Sequence, residues 1–194
     1  TDSLNGGCTT EVLFQLLKDL PENVSFSNPR LVRLWPFAQR RTRGNAAVAV
    51  ELITEDEEGL LTHLDGWWNQ HIVSLKGEIG ASDHSDRTQY PADPGMVWIN
   101  EAMNDEVFYN SAVSSEIQLS ELPPVTRQWG GNGRIGATAA ILWPATRCTY
   151  EAIAWRKENS EGSRQLDEEA LALVEDLDDT FLCRNPKLGT SLLA

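Results

Sequence analysis

The chain has 194 residues, 41% of them hydrophobic and seven of them Trp, which excludes a disordered tail and allows one large domain or two small ones with real cores. Sixteen Lys and Arg against 29 Asp and Glu give a net charge of −13, which excludes a uniformly basic nucleic-acid face and keeps the protein soluble. No apolar run nears the roughly 20 residues of a membrane helix, no basic-then-apolar leader opens the sequence, and Cys8, Cys148 and Cys183 form no CxxC pair, so no membrane partner, disulfide framework or zinc site is expected and a cytoplasmic location is.

In chain order, Asp2-Ser3-Leu4-Asn5-Gly6-Gly7-Cys8-Thr9-Thr10 reads as a turn that runs straight into a helix. Val12, Leu13, Leu16, Leu17 and Leu20 repeat at helical spacing over 11–20, and Pro21 ends the run. Residues 30–35 alternate imperfectly as a strand, 36–45 form a basic loop, and 46–54 are a second strand rich in Val. Arg30, Arg33, Arg40, Arg41 and Arg43 place five of the 16 positive charges within this short stretch. The acids at 55–58 read as a turn before a helix over 60–75, on which His63 and Trp67 are spaced as a packing pair. Residues 77–94 are polar and aperiodic, a linker or mobile loop. A short strand over 96–100 and a helix over 105–116 follow. Pro123-Pro124 breaks the chain, and Gly130-Gly131-Asn132-Gly133 opens a small-residue helix over 135–142, closed by Pro144. A strand over 149–156, a helix over 167–176 and an irregular end complete the reading. Strands and helices alternate, so the expected class is α/β (α+β) with layered sheets.

Three segments could carry chemistry. The first is the Gly6-Gly7 loop with Thr9 and Thr10 at a helix start, where N–H groups and the helix dipole hold phosphate, a hydroxyl can accept a phosphoryl group and Asp2 can hold magnesium. From spacing alone a glycine turn with Thr9 or Thr10 as a plain N-cap is the favoured reading, because this is not a Walker loop. The second is Arg40-Arg41-Thr42-Arg43-Gly44-Asn45, suited to bidentate phosphate contacts, or else a solvated loop paired with the protein's own acids. The third is Gly130 to Gly136, a second anion site with Gly133 and Arg134, or else close helix–sheet packing allowed by small side chains. His63, His71 and His84 have no metal-ligand spacing, and Cys8 has no His near it in sequence.

Taken in order, these segments resemble the archaeal agmatidine synthetases that modify an isoleucine tRNA. Thr1-Asp2-Ser3 and Cys8-Thr9-Thr10 match the family's Thr-Asp-Ser and Cys-Thr-Thr. Pro29 to Leu34 match its Pro-Arg-Leu-Val/Ile-Arg-Leu strand, Thr42 to Asn45 its Thr-Arg-Gly-Asn loop, and Asp93-Pro94-Gly95 its turn. Gly133-Arg134-Ile135-Gly136-Ala137 approaches a Gly-Arg-Xaa-Ile-Gly-Ala segment, one residue shorter, and Thr149 to Arg156 is similar to Thr-Tyr-Glu-Leu-Ile-Ala-Tyr-Arg.

The resemblance implies a kinase-like nucleotide-binding region over 1–90 and a ferredoxin-like region over 91–194. It also implies an ATP- and Mg-dependent reaction that puts agmatine in place of the C2 oxygen of the wobble cytidine. The first Thr of the family's motif is phosphorylated, which points to Thr9. Asp2, Thr9 and Thr10 are then the catalytic set, with Asp2 on the metal. Gly6, Gly7, Arg41, Arg43, Asn45, Gly133 and Arg134 would bind nucleotide. The family's Asp-Asp pair, OB-fold and zinc ribbon are not in this sequence. The expectation is a chain cut at both ends, reaching tRNA only through those other domains, or a relative with another substrate. Rival readings are a small-molecule phosphotransferase or amine ligase, and a non-catalytic nucleotide-binding protein.

Overall fold

A computed structural model describes residues 8–41, 44–77, 83–84, 87–88, 90–100, 103, 105–144, 148, 182–185 and 190–193. The chain divides into two compact units, Thr1–Pro144 and Ala145–Ala194. In the first, α1 (Thr9–Lys18) is followed by β1 (Ser25–Arg33) and β2 (Ala46–Ile53), an antiparallel pair. Next come α2 (Glu57–His71), a 3-10 turn at Val73–Leu75, and the short pair β3 (Asp83–His84) and β4 (Arg87–Thr88). Then β5 (Gly95–Trp98), α3 (Glu106–Ser114), β6 (Arg127–Gly130), which pairs antiparallel with β5, and α4 (Gly133–Ile141). Every sheet among the described residues has two antiparallel strands, so the class is mixed α/β of the α+β kind.

Side-chain alternation along β2 sets the layers, because successive residues of a strand face opposite ways. Ala47 and Ala49 join Val32 and Ala140 in one buried cluster, flanked by Tyr109 and Val113 of α3. Leu52, of opposite parity, packs with Val12 and Leu16 of α1 and with Leu60, Leu64 and Trp67 of α2. Met96 and Trp98 of β5 and Trp129 of β6 complete that second cluster. Helices α1 and α2 therefore bridge the two strand pairs from one face, and α4 packs on both β2 and β5 from the other. Two latches fix α2 to the β5–β6 pair: the indole N–H groups of Trp98 and Trp129 donate to Glu57 (2.8 Å) and Asp65 (2.6 Å). Between the β1–β2 and β5–β6 pairs runs an apolar cavity of about 150 Å³ lined by Val48, Val50, Met96 and Trp98.

Local chemistry explains the element ends. Asp56 accepts the Gly59 N–H as N-cap of α2, so Glu57 and Glu58 belong to the first helical turn, where carboxylates favour the dipole. The acidic run is a helix start and not only a turn. Asp105 caps α3 in the same way through Phe108 N–H. In β1 the register slips between Ser27 and Arg30, with Asn28 at φ 51° and Pro29 at the irregularity, where a missing N–H costs no ladder bond. Arg30 does not join the basic loop. It donates to the Ala140 and Ile141 carbonyls at the C-terminus of α4 (2.9 and 3.2 Å) and pairs with Glu51 at 3.0 Å.

Three expectations change. A strand at Arg127–Gly130 was not legible, because four residues carry too little alternation to be read without their partner. The stretch after 77 holds the β3–β4 pair. In the second unit β7 (Leu182–Asn185) pairs antiparallel with β8 (Thr190–Leu193), where the sequence reads as irregular. The strand expected over 149–156 and the helix over 167–176 lie outside the described residues. Trp67 stacks on His71, at 5.0 Å between ring centroids.

Candidate active site

Helix α1 begins where Cys8, in extended conformation (φ −146°, ψ 120°), takes the N-cap position without giving a side-chain cap bond. Its Sγ lies 3.0 Å from Thr10 Oγ1. Thr9 is thus the first helical residue and not the cap, which removes the plain N-cap account of both threonines. Its position beside the start of the helix puts it on the wall of a cleft of about 420 Å³.

The β1–β2 connection supplies a second wall. Leu34 N–H donates to Asn45 O (2.9 Å), closing the loop, and Trp35 N–H donates to Ala112 O (3.0 Å), tying it to α3. Asn45 sits at φ 40°, a conformation Asn tolerates better than most residues, and its side-chain amide donates to Trp35 O (2.5 Å). Arg41 Nη1 donates to Ala38 O (2.5 Å), and Gln39 N–H to Glu116 Oε1 (3.2 Å). Arg40, Arg41 and Asn45 all line the cleft that Thr9 lines. Thr10 lies beside it on α1. Asp2, Gly6, Gly7, Thr42 and Arg43 lie outside the described residues.

The third wall comes from the start of α4. Gly133 lies against the Asp93-Pro94-Gly95 turn so closely that a Cβ there would meet Gly95 N, and Pro94 C at 2.8 Å. Gly131 N–H donates to Pro94 O (2.8 Å) and Gly133 N–H to Asp93 O (2.9 Å). The Asp93 carboxylate accepts both the backbone and the side-chain N–H of Asn132 at 2.7 Å and faces Lys76 at 3.3 Å. Burial pushes the Asp93 carboxyl up, but the two Asn132 bonds and Lys76 outweigh it and hold it below the ordinary carboxylate value. Arg134 N–H and Ile135 N–H donate back to Gly131 O and Asn132 O. The Arg134 guanidinium turns to Gln128 Oε1 (2.7 Å) and Gly131 O (3.1 Å). The anion at the start of α4 is therefore the protein's own Asp93. Gly133 lines the cleft, and Arg134 does not feature in its lining.

Among the described residues no three His, Cys, Asp or Glu side chains group as a metal site. No described helix is long and apolar enough to cross a membrane. Sequence reasoning missed Asp93, Glu116 and Trp35. Only the Asp-Pro-Gly turn hinted at the first, and its partner is 39 residues away.

Two family models match this chain: the TiaS TCKD domain over residues 1–67 and the TiaS FLD domain over 131–190. The relatives agree with both. The isoleucine-tRNA 2-agmatinylcytidine synthetase TiaS of Thermoplasma volcanium is 30% identical over 93% of this chain and 45% of its own length. That of Pyrobaculum neutrophilum is 34% identical over 83% and 38%, and that of Methanosarcina acetivorans 32% over 84% and 40%. The chain belongs to the TiaS family. It spans less than half the length of these TiaS relatives. No solved structure matches it. The TCKD match takes in α1, Thr9 and the whole arginine loop, and the FLD match takes in α4.

Proposed function

We propose that this chain is the nucleotide-using part of an enzyme that attaches agmatine to the wobble cytidine of an isoleucine tRNA, with ATP as the driving substrate. The observation that carries the reading is that Thr9 and the arginine loop, 31 to 36 residues apart in sequence, line one cleft. The volume of that cleft, about 420 Å³, falls in the range of small-molecule sites. The N-terminal region over 1–90 contributes Thr9, Arg40, Arg41 and Asn45, and the region over 91–194 contributes the Asp93 turn and Gly133.

In this reading the polyphosphate lies between the start of α1 and Arg40 and Arg41, whose fixed charges stabilise negative charge that builds up on the transferred group. Thr9 Oγ is the acceptor: it bonds to the terminal phosphorus, the bond from phosphorus to the leaving diphosphate oxygen breaks, and the hydroxyl proton goes to solvent. Magnesium, held by Asp2, would neutralise phosphate charge. The phosphoryl group then passes from Thr9 Oγ to the C2 oxygen of cytidine, which returns the Thr9 hydroxyl; the amine bonds to C2, the C2–O bond breaks and phosphate leaves, the amine proton going to solvent. The protein contributes mainly position and charge. Relatives named for this reaction, each matching over most of the chain, support the assignment.

The test is Thr9→Ala with ATP, isoleucine tRNA and agmatine. Thr9 is not the N-cap, so the variant should remain folded. Turnover should fall below detection. A folded variant that consumes ATP at the wild-type rate refutes the assignment of Thr9, and ATP use by the wild type that tRNA does not affect refutes the tRNA substrate.

A further inference from the structure

Phe37 is 68% exposed, whereas Leu60, Leu64, Trp67, Phe108 and Trp129 are buried. Its surroundings are not those of a loose loop tip. Its ring meets Trp35 edge to face, with centroids 5.1 Å apart and an interplanar angle of 68°, which fixes how the ring is presented. The backbone on either side is braced: Trp35 N–H and O are both bonded, to Ala112 and Asn45, and Ala38 O takes the Arg41 guanidinium. An exposed aromatic ring held rigid gives up little conformational freedom when a flat partner stacks on it.

The neighbours settle the kind of partner. Trp35, Arg40 and Arg41 line the cleft, whereas Phe37 does not. Aromatic and basic residues interleaved in Trp35-Pro36-Phe37-Ala38-Gln39-Arg40-Arg41 are the chemistry of a single-stranded nucleic-acid platform, where bases stack and guanidinium groups meet phosphates. We propose that Phe37 is the stacking platform for an unpaired base of an RNA strand that passes beside the cleft. The inference deepens the proposed function, since it says how this chain itself meets its RNA. Phe37 is exposed and outside the lining of the cleft that would hold the nucleotide, which is why its ring is assigned to RNA and not to the adenine of ATP.

The net charge of −13 makes the rest of the surface repel RNA, so stacking takes a larger share of affinity here than in a basic protein. Binding should then depend only weakly on salt. The experiment measures binding of a fluorescent single-stranded cytidine hexaribonucleotide, and separately of MgATP, to the wild type and to Phe37→Ala, Phe37→Leu and Phe37→Trp. Phe37→Ala and Phe37→Leu should bind the hexamer about tenfold more weakly. Phe37→Trp should restore binding, and MgATP affinity should be the same in all four. Unchanged hexamer binding in Phe37→Ala overturns the proposal. So does a wild type that does not bind the hexamer, or a Phe37→Leu that binds as the wild type does, which would leave only apolar contact. MgATP affinity lost with Phe37 would move the ring to the nucleotide and overturn it as well. The proposed function fails on a different result, wild-type ATP use that tRNA does not affect, so the two can be told apart.

Discussion

Two helices of this chain start after a glycine-rich segment, and the start of one, α4, is filled by the protein's own carboxylate. At α4 the amides of Asn132, Gly133, Arg134 and Ile135 all donate to protein acceptors, and the half-buried Asp93 carboxylate fills the place an outside anion would take. At α1 the N-cap residue Cys8 gives no side-chain cap bond, and Arg40 and Arg41 line the same cleft as Thr9. A helix N-terminus is an anion site only where the fold has not already supplied the anion. The proposed function takes the start of α4 as a structural joint and the start of α1 as the substrate site, and mutations can press on either side of that comparison.

The joint should be the more fragile of the two. A Cβ at Gly133 would collide with the backbone of Gly95 and Pro94, and neither side can yield as a flexible side chain would. Gly133→Ala should therefore cost about 3 kcal/mol or prevent folding, measured by urea denaturation. A variant within 0.5 kcal/mol of wild type (about the scatter of surface changes) would mean that the turn and helix do not dock so closely.

Asp93→Ala should cost less, about 1–3 kcal/mol, because it strands the Asn132 N–H and leaves Lys76 without its partner. The same carboxylate gives a pH signature. Its folded pKa is lowered, so its stabilisation is complete above the ordinary value of 3.8 and is lost as pH falls through the lower folded value. Asp65, lowered by the Trp129 indole and Arg127, adds in the same direction. Wild-type stability should decline below about pH 4 more steeply than that of Asp93→Ala. Parallel acid profiles would remove Asp93 from the account.

What could be read without coordinates followed from period. The α1 face of Val12 and Leu16, the β2 run and the α2 face of Leu60, Leu64 and Trp67 each repeat often enough within one segment to announce themselves. What escaped depended on distant partners. Arg30 sits in a basic stretch by composition, yet its bonds go to carbonyls 110 residues on. Gly133 and Arg134 look like a phosphate loop until Asp93 and Gln128 come into contact with that segment. The short β6 shows itself only beside β5. The arginine loop was legible as a candidate, whereas Phe37 on its tip was not, since a single exposed ring leaves no pattern in the sequence.

The central claim is that nucleotide binds between α1 and the arginine loop and not at the start of α4. Calorimetric titration of MgATP into Arg41→Ala and Arg134→Ala, each first shown to be folded, tests it most directly. The account predicts an affinity at least tenfold weaker for Arg41→Ala, since hydrogen bonds to charged groups contribute about 1.5–3 kcal/mol, and wild-type affinity for Arg134→Ala. Loss of MgATP binding in Arg134→Ala with Arg41→Ala unaffected would contradict it.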